Sequence, residues 1–375
     1  MSDETPDRQR PDNAKAIHIL MIGALPPPYG GTTVLFQQLA NELSERTDVV
    51  VSVIDTSRAT HKKSLFRDAV QMLRVIGRLM RALPRADVAT FHSSTPGTVG
   101  FGPLLVFLCK LFRVPLAVRE FGNALDLDYE EMSGFFKWAI KTVFRADRVL
   151  LETKSLMKYF EKTLPEAKCE WYSNSREIST ATAATAATGR GARRFVFMGH
   201  VKADKGLNEI LAASEALPFE SCKIDVYGSL LDGFTEKNFE NSPRVKYHGE
   251  LTSEKVMPTL RQYDVVLLPT HLREGYPGTI IEAYAAGLPV IATRCGAIDE
   301  IVEDGVTGLL INPRDADALA EAMCKLSKDP EFFRRLSEGA LLRAHDFSST
   351  VWTQRFVEIC NDIITERKSP ELSGA

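Results

Sequence analysis

Short apolar runs alternate along this chain with longer segments that carry apolar residues every three or four positions. In the first half, residues 17–23, 49–54, 87–91, 116–119 and 148–152 are compact apolar runs and predict strands. The segments between them read as helices, the clearest being the amphipathic stretch 32–43. The run ISTATAATAATGRGA, residues 178–192, holds no large apolar residue after Ile178 and reads as a linker. Beyond it the alternation restarts, with strands predicted at 195–198, 223–227, 245–247, 265–268, 290–292 and 309–311. A late helix spans 315–327, opened by Asp315 and Asp317 where a helix N-terminus favours acids, and a last one spans 351–367. Strand and helix in repeated alternation predict an α/β protein of two doubly wound, Rossmann-like domains. The expected division is a disordered lead at 1–15, a first domain at 16–176, a linker at 177–192 and a second domain at 193–350. Helix 351–367 is expected to complete the first domain.

Length agrees with this division, because 375 residues exceed one ordinary core and suit two. A formal charge of −3 argues against a nucleic-acid partner, which normally calls for a basic excess. The six cysteines lack metal-ligand spacing and read as reduced thiols of a cytoplasmic protein. The most apolar window, 99–111, is interrupted by Lys110 and too short to span a bilayer. Charge is local instead. In helix 62–85, Leu65, Met72, Ile76, Leu79 and Leu83 share one face, and Arg67, Arg74, Arg78, Arg81 and Arg85 lie roughly opposite. Two readings fit: a solvated face on a core helix, or attachment to an anionic membrane surface, where each Arg contributes about 1 kcal/mol. The segment Phe135-Phe136-Lys137-Trp138, followed by Lys141 and Arg145, adds a second basic-aromatic element.

The candidate chemistry sits in the loop between strand 265–268 and the Ala-rich helix beginning near Thr279. Glu274, Gly275, Tyr276, Pro277 and Gly278 fill the loop, and Glu282 lies one turn into the helix. Two Glu at this separation arise about once by chance in such a chain, so the pair alone proves nothing. The setting gives it weight. An open α/β sheet places ligands where a strand's carboxyl end feeds a helix N-terminus, whose free N–H groups suit a phosphate. In the first half, Gly30 and Gly31 follow the first strand and three prolines; this is not GxGxxG, so no dinucleotide fingerprint is present. Tandem domains of this kind are compatible with a dehydrogenase, an epimerase, a glycosyltransferase or a two-domain binding protein.

More specific pieces run in order through the second half: Phe195-Val196-Phe197-Met198-Gly199, Lys205-Gly206-Leu207, Asp225-Val226-Tyr227-Gly228, Glu274 to Glu282, Ala286-Gly287-Leu288-Pro289-Val290 and Asp304-Gly305-Val306-Thr307-Gly308. In these residues the chain resembles the family-4 retaining glycosyltransferases, whose GT-B fold sets two Rossmann-like domains across a cleft. The resemblance covers most of 195–320 and is looser in the first half. It implies a nucleotide-diphosphate sugar donor and a sugar acceptor, with no cofactor or metal, and the basic helices suggest a lipid-linked sugar acceptor. It makes Lys205 the diphosphate lysine, Glu282 the ribose-binding acid and Glu274 the acid beside the donor sugar. Gly199, Gly275, Tyr276, Pro277, Gly278 and Thr279 fall in the implied donor site, with Gly30 and Gly31 facing it from the first domain.

Two departures stand out. The family commonly has Arg after the glycine where this chain has His200, with Lys202 the nearest replacement. The family's His near the catalytic centre of the first domain is matched only by Arg119-Glu120-Phe121-Gly122-Asn123, which leaves His92, at the end of a predicted strand, as the substitute. Asp126-Leu127-Asp128 spells the DxD that holds a metal in the other large glycosyltransferase fold, and is not assigned to a metal here. The leading expectation is a cytoplasmic retaining glycosyltransferase of surface polysaccharide or glycolipid assembly, peripheral at the membrane. The alternatives are a nucleotide-sugar epimerase of the same architecture and a sugar-nucleotide binder without turnover.

Overall fold

Six parallel strands form the sheet of each half of the chain in the computed structural model. The structure describes residues 16–27, 30–57, 65–122, 124–178, 189–217 and 222–368, and for 65–68 the backbone only. The expected lead at 1–15 and most of the expected linker lie outside the described residues. The first sheet comprises β1 (Ile17–Gly23), β2 (Val49–Asp55), β3 (Val88–Ser94), β4 (Leu116–Phe121), β5 (Arg148–Leu151) and β6 (Cys169–Trp171), in the order β2-β1-β3-β4-β5-β6. Helices α1 (Gly31–Ser44), α2 (Leu65–Ala82), α3 (Thr95–Gly100), α4 (Gly102–Phe112), α5 (Leu125–Glu131), α6 (Gly134–Val143) and α7 (Lys154–Thr163) connect these strands. Burial on both faces explains why β1 and β5 are largely unbroken apolar runs without alternation, whereas the edge strand β2 leaves Val50 and Val53 exposed. Ile19 and Met21 of β1 pack with α1 on one side, Leu20 and Ile22 with α2 and α4 on the other.

The second sheet comprises β7 (Arg194–Met198), β8 (Lys223–Tyr227), β9 (Val245–Tyr247), β10 (Val265–Leu268), β11 (Val290–Thr293) and β12 (Gly308–Ile311). Its order is β12-β11-β10-β7-β8-β9, so the chain changes direction between β7 and β10. At that switch point the loops leaving two neighbouring strands diverge and open a crevice at their carboxyl ends. Its helices are α8 (Leu207–Ala216), α9 (Lys237–Glu240), α10 (Ser253–Leu260), α11 (Gly278–Ala285), α12 (Ile298–Ile301), α13 (Ala316–Lys328) and α14 (Pro330–Ala344). Asp315 accepts the Ala318 N–H at 2.8 Å and caps α13, the end at which acids were expected.

The last helix, α15 (Ser349–Lys368), returns to the first sheet, where Trp352, Phe356, Ile359 and Ile363 join the core around Ile19 and Met21. The two crossings between domains are bonded to each other: Arg176 N–H donates to Phe347 O at 3.0 Å and Ser349 N–H to Arg176 O at 2.8 Å.

Helix α2 departs from its sequence reading. Val75, Leu79 and Leu83 are its core contacts, whereas Met72, expected on the apolar face, is exposed beside Leu73. The helix is rotated so that Val75, outside the predicted stripe, meets the sheet.

Candidate functional site

Lys205 ends a 3-10 turn, Ala203–Lys205, just beyond β7. The next residue, Gly206, has φ 81°, and a Cβ there would stand 2.1 Å from Pro269 O at the exit of β10. Only glycine lets this turn lie against that strand end. The turn is bonded in place by His271 N–H, which donates to Asp204 O at 2.7 Å. Lys205 Nζ thereby contacts Glu274 Oε1, and Thr270 Oγ1 stands 3.4 Å from the same oxygen. Behind Glu274, Ala297 N–H donates to its carbonyl at 2.8 Å. Gly296, at φ 68°, passes so close that a Cβ would lie 2.2 Å from that oxygen. The carboxylate is thus fixed from both sides at the mouth of the switch-point crevice.

Pro277 precedes α11 and Gly278 is its first residue. The Thr279 hydroxyl lies 3.5 Å from Met198 O, tying the helix start to the end of β7, where Gly199 and His200 are exposed. Lys202 pairs with Asp204 at 3.4 Å and Asp232 at 3.9 Å. Glu282 bonds with Arg176, whose Nε donates to Oε1 at 2.8 Å. A Cβ on Gly278 would meet Arg176 Nη2 at 2.1 Å, so the guanidinium lies directly over the start of α11. A cation beside a helix N-terminus is unfavourable by a few tenths of a kcal/mol to about 1 kcal/mol; the Glu282 carboxylate offsets it. Arg176 and Glu282 line one wall of an interdomain cavity of ≈ 1040 Å³ whose other walls are α1, α10 and α15.

Tyr276, expected in the donor site, is bonded between the domains. Its N–H donates to Glu152 Oε1 at 3.0 Å, its carbonyl accepts from Asn174 Nδ2 at 3.1 Å, and its hydroxyl donates to Glu300 Oε2 at 2.9 Å. The ring packs against Trp171 and Phe347. Burial and the neighbouring Glu300 push its hydroxyl above the usual phenol range. Burial likewise raises the Glu152 carboxyl, against its hydrogen bonds and the charge of Arg119.

His92, expected as the catalytic contact of the first domain, is also enclosed. It is 3% exposed and packed among Phe36, Phe121 and Phe356. Burial, with the Arg119 charge adding to it, holds its imidazole well below the usual range and therefore neutral. Three aromatic side chains from α1, β4 and α15 close the strand end that the sequence left open. Arg119 of β4 lies between the rings of Phe121 and Tyr172, 4.6 and 4.5 Å from their centroids. Glu120 beside it is buried against Thr95 and Thr98, and burial pushes its carboxyl up to about 8. Asp126 of the DxD run pairs with Arg273 across the domains at 2.8 Å.

The structure therefore gathers Lys205, Glu274, Gly199, Gly278, Thr279 and Glu282 about the carboxyl ends of β7 and β10. Gly30 and Gly31 stand exposed at the start of α1, beyond β1. Arg176, Glu152 and Asn174 escaped the sequence reading. Their partners lie across the domain boundary, and no local pattern marks them.

Residues 192–329 match the family model described as Glycosyl transferases group 1. This segment belongs to that family. The group 1 glycosyl transferase segment contains all six gathered residues, and Arg176 reaches in from the domain crossing. Similar curated proteins include the D-inositol 3-phosphate glycosyltransferase of Saccharomonospora viridis, 28% identical over 47% of this chain and 40% of that protein. The N-acetyl-alpha-D-glucosaminyl L-malate synthase of Bacillus anthracis is 29% identical over 36% of this chain and 35% of that one. The matches thus span less than half the length of these relatives. Over the whole chain the likeness is one of fold. Anabaena Alr3699/HepE in complex with UDP superimposes with a TM-score of 0.69 at 16% identity, covering 92% of this chain and all of that one. Sucrose-phosphate synthase from Thermosynechococcus elongatus does so with 0.70 at 15% identity over 93% of this chain and 99% of the other. The architecture is GT-B.

Proposed function

We propose that the chain transfers a glycosyl residue from a nucleotide-diphosphate sugar to an acceptor hydroxyl, with retention of anomeric configuration, in surface polysaccharide or glycolipid assembly. The observation that carries this reading is the Lys205–Glu274 contact at the switch point, one loop ahead of the α11 N-terminus. Positive charge and free N–H groups there suit a leaving diphosphate, and a carboxylate beside them suits the cationic anomeric carbon that forms as it leaves. The donor class is supported by fold neighbours solved with UDP and with UDP-glucose.

In this reading Lys205 exchanges part of its contact with Glu274 for the diphosphate, and the helix start binds the distal phosphate. Glu282 accepts from the ribose hydroxyls, which releases Arg176. The freed guanidinium, already over the helix start, supplies the second phosphate cation that His200 does not. As the bond between the anomeric carbon and the diphosphate oxygen breaks, the acceptor oxygen bonds to the same face of that carbon, and the diphosphate takes the acceptor's proton. His92 has no part in this. The acceptor is a sugar or lipid-linked sugar, which the basic helix α2 helps to reach at the cytoplasmic surface of an anionic membrane.

The test is incubation with a panel of nucleotide sugars, with and without acceptor extract, measuring nucleoside diphosphate release. Acceptor-dependent release is expected, lowered roughly 10²-fold or more in Glu274→Gln while nucleoside diphosphate binding persists. Isomerised donor without an acceptor would identify an epimerase, and binding without release a non-catalytic protein. Full transfer by Glu274→Gln removes the proposed role of that acid.

A further inference from the structure

Helices α2, α4 and α6 cover one face of the first sheet. Val75 and Leu79 of α2, Leu105 and Leu108 of α4 and Val143 of α6 share one apolar cluster with Leu20 and Ile22, whereas α1 and α15 pack on the opposite face. Helices α4 and α6 touch closely, since a Cβ on Gly102 would lie 2.5 Å from Val143 Cγ2. Their outer sides are unusually apolar. Phe107 and Leu111 on α4 and Phe135, Phe136 and Trp138 on α6 are between 46% and 66% exposed. The ring of Phe135 lies 5.7 Å from those of both Phe136 and Trp138, so the aromatics gather at the start of α6. Single exposed apolar side chains are ordinary, but five large ones on two packed helices call for an occupant.

Charge selects that occupant. Neither α4 nor α6 contains Asp or Glu; Lys110, Lys137 and Lys141 lie within them, and Arg113 and Arg145 follow within two residues of their ends. On the same face of the sheet, α2 adds Arg74, Arg78 and Arg81 together with exposed Leu73. Of the four acids of the intervening α5, Asp126 is spent on Arg273 and Glu130 is bonded by the Tyr159 hydroxyl, while Asp128 and Glu131 are exposed, so cations still outnumber free acids across this face. An apolar patch rimmed by cations complements a surface that is anionic outside and apolar beneath. Phe and Trp suit the boundary between the two, where an apolar ring enters and the indole N–H stays wet.

We propose that α4 and α6 form an insertion face that seats on an anionic lipid bilayer, with the rings of Phe107, Phe135, Phe136 and Trp138 entering the headgroup boundary. Helix α2 is then the electrostatic flank of this face. The inference rests on the membrane reading given above for its occupant, and moves the point of insertion from α2 to a different pair of helices.

Co-sedimentation of the full chain with phosphatidylcholine vesicles, with and without phosphatidylserine, tests it. Native protein is expected to bind the anionic vesicles and to release with salt. Trp138, the exposed one of the chain's three tryptophans, is expected to shift its emission to the blue. Phe135→Ser with Phe136→Ser is expected to weaken binding by about tenfold or more with an unchanged melting temperature. If this double variant binds like native protein, Trp138 emission stays unshifted, and Arg74→Glu with Arg78→Glu and Arg81→Glu abolishes binding, the insertion face is overturned and attachment by α2 stands. Failure of native protein to bind either vesicle overturns both. Self-association lost in the double variant, without vesicle binding, assigns the face to a second copy of the chain and overturns the proposal. Transfer to a water-soluble acceptor is unaffected in every case, which separates this result from the glycosyl-transfer reading.

Discussion

A buried carboxyl group shows at the level of a single residue how strongly the first domain constrains its polar side chains. Glu120 is fully enclosed, and burial raises it to about 8 despite hydrogen bonds from Thr98 and Thr95. In the unfolded chain it titrates near the ordinary value of 4.5. Between these values the unfolded state has lost the proton and the folded state keeps it, so stability falls as pH rises through this window and levels off above it. Glu120→Gln cannot ionise, and its melting temperature relative to native protein is expected to improve from pH 4.5 toward pH 8. A difference that stays flat across this range would mean that Glu120 is ionised in the fold. Residue by residue, the sequence made Lys205, Glu274 and Glu282 legible, because they recur in a fixed order with glycines and strands around them. It did not show that His92 and Tyr276 are enclosed. A strand end and a loop look open in sequence, and the side chains that close them come from α1, β4, β6 and α15.

At the scale of elements, the turn between β7 and α8 governs the site. Gly206 has a left-handed conformation and no room for a Cβ against Pro269 O. Gly206→Ala combines strain with displacement of a strand end, and is expected to cost about 1–3 kcal/mol of stability and to move Lys205 off Glu274. The expected outcome is a lowered melting midpoint together with weakened nucleoside diphosphate binding; native values for both would show that the turn has slack. Strand positions in the second domain were readable almost to the residue; β7, β10 and β11 are buried on both faces and leave nearly unbroken apolar runs. Helix α2 was readable as a helix but not in its rotation: one added apolar residue, Val75, shifts the buried stripe past Met72.

Across the whole molecule, the seam between the domains is polar and specific. The Glu300 carboxylate on α12 accepts the N–H groups of Lys154 and Ser155, capping α7 of the other domain at 2.8 and 2.9 Å, and also takes the Tyr276 hydroxyl. Arg273–Asp126 and Tyr276–Glu152 cross the same seam. Glu300→Ala removes a helix cap and an interdomain bond together. It is expected to lower stability by about 1–2 kcal/mol and to enlarge the radius of gyration measured by small-angle scattering. Unchanged scattering with unchanged melting would show that the remaining contacts hold the domains alone.

The amino-acid sequence by itself determined the two parallel sheets, the strand-to-helix loop that holds Glu274, and the order of Lys205, Glu274 and Glu282. Each of these depends on local patterning: burial of a strand on both faces, or a glycine where backbones meet. Tertiary structure alone decided that Arg176 covers the start of α11, that Tyr276 faces the other domain, that His92 is walled in, and that the exposed rings of α4 and α6 share a face with the arginines of α2. Those outcomes depend on contacts between residues far apart in the chain, 106 positions for Arg176 and Glu282 and 124 for Glu152 and Tyr276. Periodicity within a segment carries no information about them.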